Sequence, residues 1–132
     1  MHEDRDLHVV VVGGGVIGSA IACFTLQETS FRGRVTVIER DPSYARASSA
    51  LSASSIRQQF GTAVNVAISR YGSAFLREAA ERLAVDGNRP VLGLVEHGYL
   101  YLAATDDGAG TLRRNHRLQV EQGAAILLLT PD

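Results

Sequence analysis

The chain has 132 residues, 45% of them hydrophobic, a formal charge of −1 at neutral pH and a single cysteine. That length suffices for one domain with a core, and the near-zero charge without a basic block argues against nucleic acid as a main partner. The lone Cys23 excludes an internal disulfide and reads as a packing thiol, no apolar run approaches membrane-spanning length, and the four scattered histidines lack metal-ligand spacing.

The start, Met1-His2-Glu3-Asp4-Arg5-Asp6, is polar and acidic. It lacks the regions of a secretory signal, so a cytoplasmic location is expected. The βαβ pattern comes next. His8–Val12 is a short β-branched run that reads as a buried parallel strand. Gly13-Gly14-Gly15-Val16-Ile17-Gly18 follows directly. Ile17–Leu26 reads as a helix, with Ile17, Ile21, Phe24 and Leu26 as apolar positions and small Ala20 and Ala22 facing a close neighbour. Arg34–Glu39 is a second strand, ending in an acid about 20 residues after the glycines.

That context turns a glycine-rich turn into a dinucleotide-binding fingerprint. Gly13 permits the sharp exit from the strand. Gly15, without a side chain, lets backbone approach a pyrophosphate, which then meets the N–H groups and positive end of the helix. Gly18 lets that helix pack tightly on the strand. Glu39 is placed to accept hydrogen bonds from a ribose hydroxyl.

Arg40–Ser55 carries Asp41-Pro42 and then a serine- and alanine-rich stretch crowded with Ser48, Ser49, Ser52, Ser54 and Ser55. It reads as a loop with one helical turn. It follows the ribose acid, so its small hydroxylated residues can bring donors to a ligand. Ile56–Gly61 closes it. Thr62–Ala84 is then helical, with Thr62 as N-cap and Val64, Ile68, Tyr71, Phe75, Ala79 and Leu83 as the apolar face. Asp86-Gly87-Asn88-Arg89-Pro90 stops it. Leu92–Glu96 and Tyr99–Ala103 flank His97-Gly98 and predict a β-hairpin. Asp106–Gln122 reads as another helix, with Leu112, His116 or Leu118, and Val120 as inward positions. Its basic cluster, Arg113, Arg114, His116 and Arg117, reads as a solvated face. Gly123 is a C′ residue, Ala124–Leu129 a short buried strand, and Thr130-Pro131-Asp132 the cap of a further helix. Only two strands have clear Rossmann character.

The succession Gly-Gly-Gly-Val-Ile-Gly, Val-Ile-Glu-Arg-Asp, Ser-Ser-Ala-Leu-Ser-Ala, Ile-Arg-Gln-Gln-Phe and Gly-Tyr-Leu-Tyr-Leu resembles the N-terminal part of FAD-dependent oxidoreductases. The group it is most similar to holds D-amino-acid oxidase, glycine oxidase and sarcosine oxidase. The resemblance runs from about Leu7 to Asp132. It implies an α/β fold: a Rossmann-like FAD-binding βαβ unit, then helix, hairpin and helix, incomplete relative to the full two-domain flavoenzyme. Residues 1–61 would form the βαβ unit and flavin loop, and residues 62–132 the segment leading into a substrate domain.

The resemblance also implies FAD as cofactor. It implies oxidation of an amino acid or N-methylated amine by hydride transfer to the flavin. Gly13, Gly15, Val16, Ile17 and Gly18 would hold the pyrophosphate, and Glu39 the adenosine ribose, with Arg40 nearby. Ser48, Ser49 and Ser52 would line the dinucleotide's path. Arg57 is the catalytic candidate, either as a fixed positive charge beside flavin or substrate or as a structural arginine holding loop carbonyls. Gln58 and Gln59 serve the same polar loop. One face of Tyr99 and Tyr101 looks toward substrate or takes part in ordinary sheet packing. Where relatives carry paired glycines this chain has Ser54-Ser55. No histidine lies between Glu39 and Gly61, which excludes covalent flavin attachment there. Relatives are more than twice as long, so the chain is expected to be one part of an active site. Its partners would be a small-molecule substrate and a second polypeptide or further copy. Two other readings stand beside this one: an NAD(P)-dependent dehydrogenase, against which the serine loop and hairpin speak, and an inactive fragment or binding subunit.

Overall fold

The computed structural model describes residues 7–130. The element order is β1 (His8–Val12), α1 (Val16–Gln27), β2 (Arg34–Ile38), α2 (Ala63–Arg82) and α3 (Asp106–Glu121). The chain divides into two units, Met1–Ser55 and Ile56–Asp132.

In the first unit β1 and β2 pair in parallel, in register from His8↔Arg34 to Val12↔Ile38. Parallel neighbours need a crossover, and α1 provides it. The expected βαβ unit is therefore present. The expectation of a fully buried β1 is corrected. Val11 is buried, but Val10 and Val12 are 49% and 84% exposed. Successive side chains alternate across a strand, and α1 covers only one face of this two-stranded sheet. On the other face His8 Nε2 and Thr36 Oγ1 share a hydrogen bond of 2.8 Å.

The inward face of α1 also differs from the expected one. Its buried residues are Gly18 and Ala22, while Ile17, Ile21 and Leu26 are exposed. The four-residue spacing puts the two small residues one above the other. A Cβ at Gly18 would run into the Gly13 carbonyl oxygen and lie 3.1 Å from Val11 Cγ1. The helix packs where it has least side chain, and its larger apolar groups turn away.

In the second unit α2 packs on α3. Val66 and Ala79 are the buried positions of α2, whereas Val64, Ile68 and Tyr71 are exposed. The apolar face is thus rotated from the expected one, with Ala79 common to both. On α3 the buried residue is Gln119 rather than Val120. Gln119 is tolerated because its Nε2 donates to the Phe60 carbonyl at 3.0 Å, and a buried polar group that is paired avoids the desolvation penalty. Arg70 Nη1 donates to the Gln122 carbonyl at 2.6 Å, across 52 residues of sequence. Gly123, with φ 74°, reverses the chain after α3 as expected.

The hairpin expected over Leu92–Glu96 and Tyr99–Ala103 is not formed. Neither segment belongs to a strand, and no backbone ladder joins them among the described residues. Alternating apolar residues say which side of a strand is apolar, but a strand exists only where a partner completes its ladder. Gly93 and Gly98 take φ of 61° and 75° and interrupt the extended run. Val91 and Leu102 stay 95% and 85% exposed, so no packing surface in this unit fixes a register. The tight turn of the region lies earlier. Val85 and Asn88 exchange backbone hydrogen bonds of 2.9 and 2.8 Å around Asp86 and Gly87. Ala124–Leu129 likewise forms no strand. Ala124 is buried behind α3, and Leu127–Leu129 is exposed. The expected cap at Thr130-Pro131-Asp132 runs outside the described residues.

Candidate functional site

Parallel pairing brings the carboxyl ends of β1 and β2 side by side, so the glycine turn and Glu39 meet although 25 residues separate Gly14 from Glu39. Gly13 N donates to the Ile38 carbonyl at 2.8 Å. Gly13 has φ 99°, a conformation only glycine takes freely. It is therefore fixed by the turn itself.

Gly15 is different. It is the N-cap of α1, with φ −61° and ψ −175°, which any residue can adopt. A Cβ built there would meet no atom within 4 Å. The fold does not require glycine at this position. The helix start carries no side-chain cap and no acidic residue in its first turn. Its first N–H groups are oriented outward with the positive end of the helix dipole. Such a terminus can accept an anion, with no acidic side chain of its own first turn competing for it.

Glu39 is held by both oxygens. Gly14 N donates to Oε2 at 2.7 Å, and Asp41 N donates to Oε1 at 2.8 Å. The amides of Asp41 and then Gly14 hold its carboxyl below the usual carboxylate range. Each carboxylate oxygen keeps a second lone pair for a hydroxyl donor. Gly14 is buried. The Tyr44 hydroxyl and Glu39 Cβ lie 3.1 and 3.2 Å from where a Gly14 Cβ would sit.

These groups surround a cavity of about 640 Å³, within the range of small-molecule and cofactor sites. Of the residues marked out by the sequence, Gly13, Gly15, Val16, Ile17, Gly18, Glu39, Arg40, Ser48 and Ser49 line it together. Ser52 does not line it. Its hydroxyl donates to the Ser49 carbonyl at 2.9 Å, closing the turn that presents Ser49. The helical turn expected in this loop is present as Leu51 N to the Ala47 carbonyl, 3.1 Å. The fingerprint assigns no role to Gly14, Tyr44 or Arg46. Tyr44 and Arg46 line the cavity. The signal available for them was one aromatic and one cation within a run of small polar residues.

Arg57 belongs to the second unit. Its guanidinium lies 5.0 Å from the centroid of Phe60 and 5.9 Å from that of Tyr101. Ser69 Oγ donates to its carbonyl, and Gln59 Nε2 donates to the Tyr99 carbonyl at 3.3 Å. Among the described residues no carboxylate pairs with Arg57, so its charge rests on aromatic faces and its N–H edges remain free. No helix among the described residues is long and apolar enough to cross a membrane.

A family profile described as FAD dependent oxidoreductase matches residues 8–132. Among curated proteins, the chain is 43% identical over 127 residues to "FAD-dependent oxidoreductase domain-containing protein 1" of Xenopus laevis, covering 94% of this chain and 25% of the relative. The protein of that name from Bos taurus is 42% identical, with 94% and 26% covered. A homolog from Drosophila melanogaster is 35% identical over 132 residues, with 98% and 25% covered. The chain thus spans about a quarter of the length of the curated relatives it matches. No solved structure matches significantly. The cofactor of the matched family is FAD. The residues present have the chemistry that such a dinucleotide requires: an open, uncapped helix start at Gly15, a fixed carboxylate at Glu39, and cations at Arg40 and Arg46.

Proposed function

Because the chain belongs to the FAD-dependent oxidoreductase family, we propose that it is the FAD-binding N-terminal segment of an enzyme oxidising an amino acid or N-methylated amine. FAD, when bound, supplies the acceptor for a hydride from the amine carbon. The observation that carries the assignment is Gly15, a glycine that the fold does not need, standing at an uncapped helix start on the wall of the cavity.

In this reading Gly15 and the first turn of α1 bring backbone N–H groups to the pyrophosphate, aided by the dipole of α1, while Gly13, whose own N–H is taken by the Ile38 carbonyl, makes the turn that places them. Val16 and Ile17 form the first turn that presents those groups, and Gly18 keeps that turn seated on β1. Glu39 accepts from the adenosine ribose, and the amides of Gly14 and Asp41 hold it ionised for that task. Arg40 neutralises charge on the dinucleotide, and Ser48 and Ser49 offer hydroxyl donors along it. Arg57 is proposed to stabilise negative charge on the reduced cofactor or on a substrate carboxylate. That no carboxylate among the described residues pairs with it supports that role, because an arginine already neutralised would contribute little. Residues 62–132 lead into the substrate-binding part of the enzyme.

A competition titration tests the reading. The purified chain is titrated with FAD, followed by flavin fluorescence and visible absorbance, and then challenged with NAD. Saturable FAD binding that NAD does not displace is expected. Equal binding of NAD, or displacement of FAD by it, would overturn the reading in favour of a nicotinamide dehydrogenase. The chain alone is expected to show no turnover, and substrate-dependent flavin reduction by it would contradict the assignment of only part of the active site.

A further inference from the structure

Tyr44 stands out from its loop on three counts. It takes φ 56°, a left-handed conformation unfavourable for a residue with a Cβ and an aromatic ring. It lines the cavity. Its hydroxyl lies 3.1 Å from where a Cβ on Gly14 would sit, and Gly14 is the residue whose N–H holds Glu39. A non-glycine residue kept in this region persists only where its surroundings over-determine it. Those surroundings are visible. Asp41 Oδ1 accepts from Ser43 N at 3.1 Å and from Ser43 Oγ at 2.6 Å. Tyr44 N donates to the Asp41 carbonyl at 3.0 Å, and Ala47 N to the Tyr44 carbonyl at 2.9 Å. Asp41 N in turn donates to Glu39. The turn that forces Tyr44 into this conformation is therefore built on the same acid that faces the ribose.

The ring gains little from the protein itself, since Tyr44 remains 42% exposed. An aromatic side chain beside Glu39, with Arg40 and Arg46 lining the same cavity, is suited to a flat, electron-rich heterocycle joined to a phosphorylated ribose. Among the described residues neither guanidinium has a hydrogen-bond or ion-pair partner, so both are free for phosphate.

We propose that Tyr44 is the stacking platform for the adenine base at the Glu39 end of the cavity, and that its left-handed backbone is retained to aim the ring there. The proposal rests on the reading of this cavity as the site of the adenosine diphosphate half of FAD. Glu39 fixes the sugar, and Tyr44 fixes the rotation of the base about it, which makes it a specificity-determining residue for adenine-bearing flavin over flavin mononucleotide.

The test uses the full chain and the variants Tyr44→Gly, Tyr44→Ala and Tyr44→Phe. Each is titrated with ADP and with FAD by calorimetry, and its thermal midpoint is recorded. The chain has no tryptophan, so ADP binding is also read as quenching of tyrosine fluorescence. Loss of one base–aromatic stack weakens binding by roughly 5- to 150-fold. Tyr44→Gly and Tyr44→Ala are expected to show that loss for both ligands, and Tyr44→Gly to lose part of the ADP-dependent quench. Tyr44→Phe keeps the ring face and is expected to bind within about threefold of the parent. Glycine takes this φ without strain, so Tyr44→Gly is expected to melt no lower than Tyr44→Ala, which separates the ring from the fold. Parental ADP affinity in Tyr44→Gly would overturn the proposal, as would a loss in Tyr44→Phe equal to that in Tyr44→Gly. If the parent chain itself binds neither ADP nor FAD, the reading of the cavity falls, and this proposal with it.

Discussion

Gly18 and Gly72 are both helical glycines, and the same substitution to alanine should move stability in opposite directions. At Gly72, inside α2, a new Cβ meets nothing within 4 Å. Only backbone propensity changes there, and Gly72→Ala should stabilise by about 1 kcal/mol. At Gly18 the same gain is available, but the Cβ falls on the Gly13 carbonyl oxygen, 3.0 Å from Gly13 C and 3.1 Å from Val11 Cγ1. Two of those three atoms are backbone and cannot rotate away. Relief requires α1 to lift from β1, or the Gly13 turn to open. Overpacking of this kind costs about 3 kcal/mol at the upper end of its usual range. Offset by the propensity gain, the net loss is about 2 kcal/mol, roughly a 30-fold shift toward the unfolded state. Urea denaturation followed by circular dichroism measures both variants, and FAD titration of Gly18→Ala should show weakened binding because the turn moves with the helix. A Gly18→Ala chain as stable as Gly72→Ala would refute the close helix–strand packing on which the site geometry depends.

Glu39→Gln should weaken FAD by roughly tenfold, because the amide replaces an acceptor facing a backbone N–H with a donor. The carboxyl of Glu39 titrates below its usual range, so its stabilising bonds are fully present above the ordinary carboxylate range and are lost as pH falls through the lowered value. FAD affinity of the parent should fall over that acidic window, and a pH series on Glu39→Gln should lose this component. At the helix starts, Thr105 Oγ1 accepts from Gly108 N at 3.1 Å, while Thr62 caps α2 without a side-chain hydrogen bond. Thr105→Ala should therefore destabilise by about 1 kcal/mol, and Thr62→Ala by clearly less, as read from urea midpoints.

The βαβ unit was legible because its signals are local and independent: a β-branched run, glycines at fixed spacing, and an acid about 20 residues on. The spacing led to Gly13, Gly15, Gly18 and Glu39, the family resemblance added Val16, Ile17, Arg40, Ser48 and Ser49, and all nine line the cavity. The inward faces were less legible. On α1 the apolar pattern pointed to Ile17 and Ile21, but the close approach at Gly18 and Ala22 decided the face. On α3 a buried Gln119 could not be foreseen, because its acceptor, the Phe60 carbonyl, lies 59 residues away. The hairpin misled for a related reason: alternation in Tyr99–Ala103 encodes a face, and pairing depends on a partner strand. Tyr44 was hidden because its proposed role follows from a left-handed φ and from a hydroxyl placed 3.1 Å from where a Cβ on Gly14 would sit, neither of which a loop sequence of small polar residues displays.

The most direct test of the central claim, that α1 begins at an anion site for the FAD pyrophosphate, is FAD affinity of Gly15→Thr beside its unfolding midpoint. Threonine and glycine are comparable N-caps, the backbone at Gly15 suits either, and a Cβ there meets no protein atom within 4 Å. Stability should stay within about 0.5 kcal/mol of the parent, while the added side chain enters the cavity and FAD binding weakens by about tenfold or more. A stable Gly15→Thr chain that binds FAD as tightly as the parent would contradict the account, since a glycine on the cavity wall that the fold does not require would then not be required by the cofactor either.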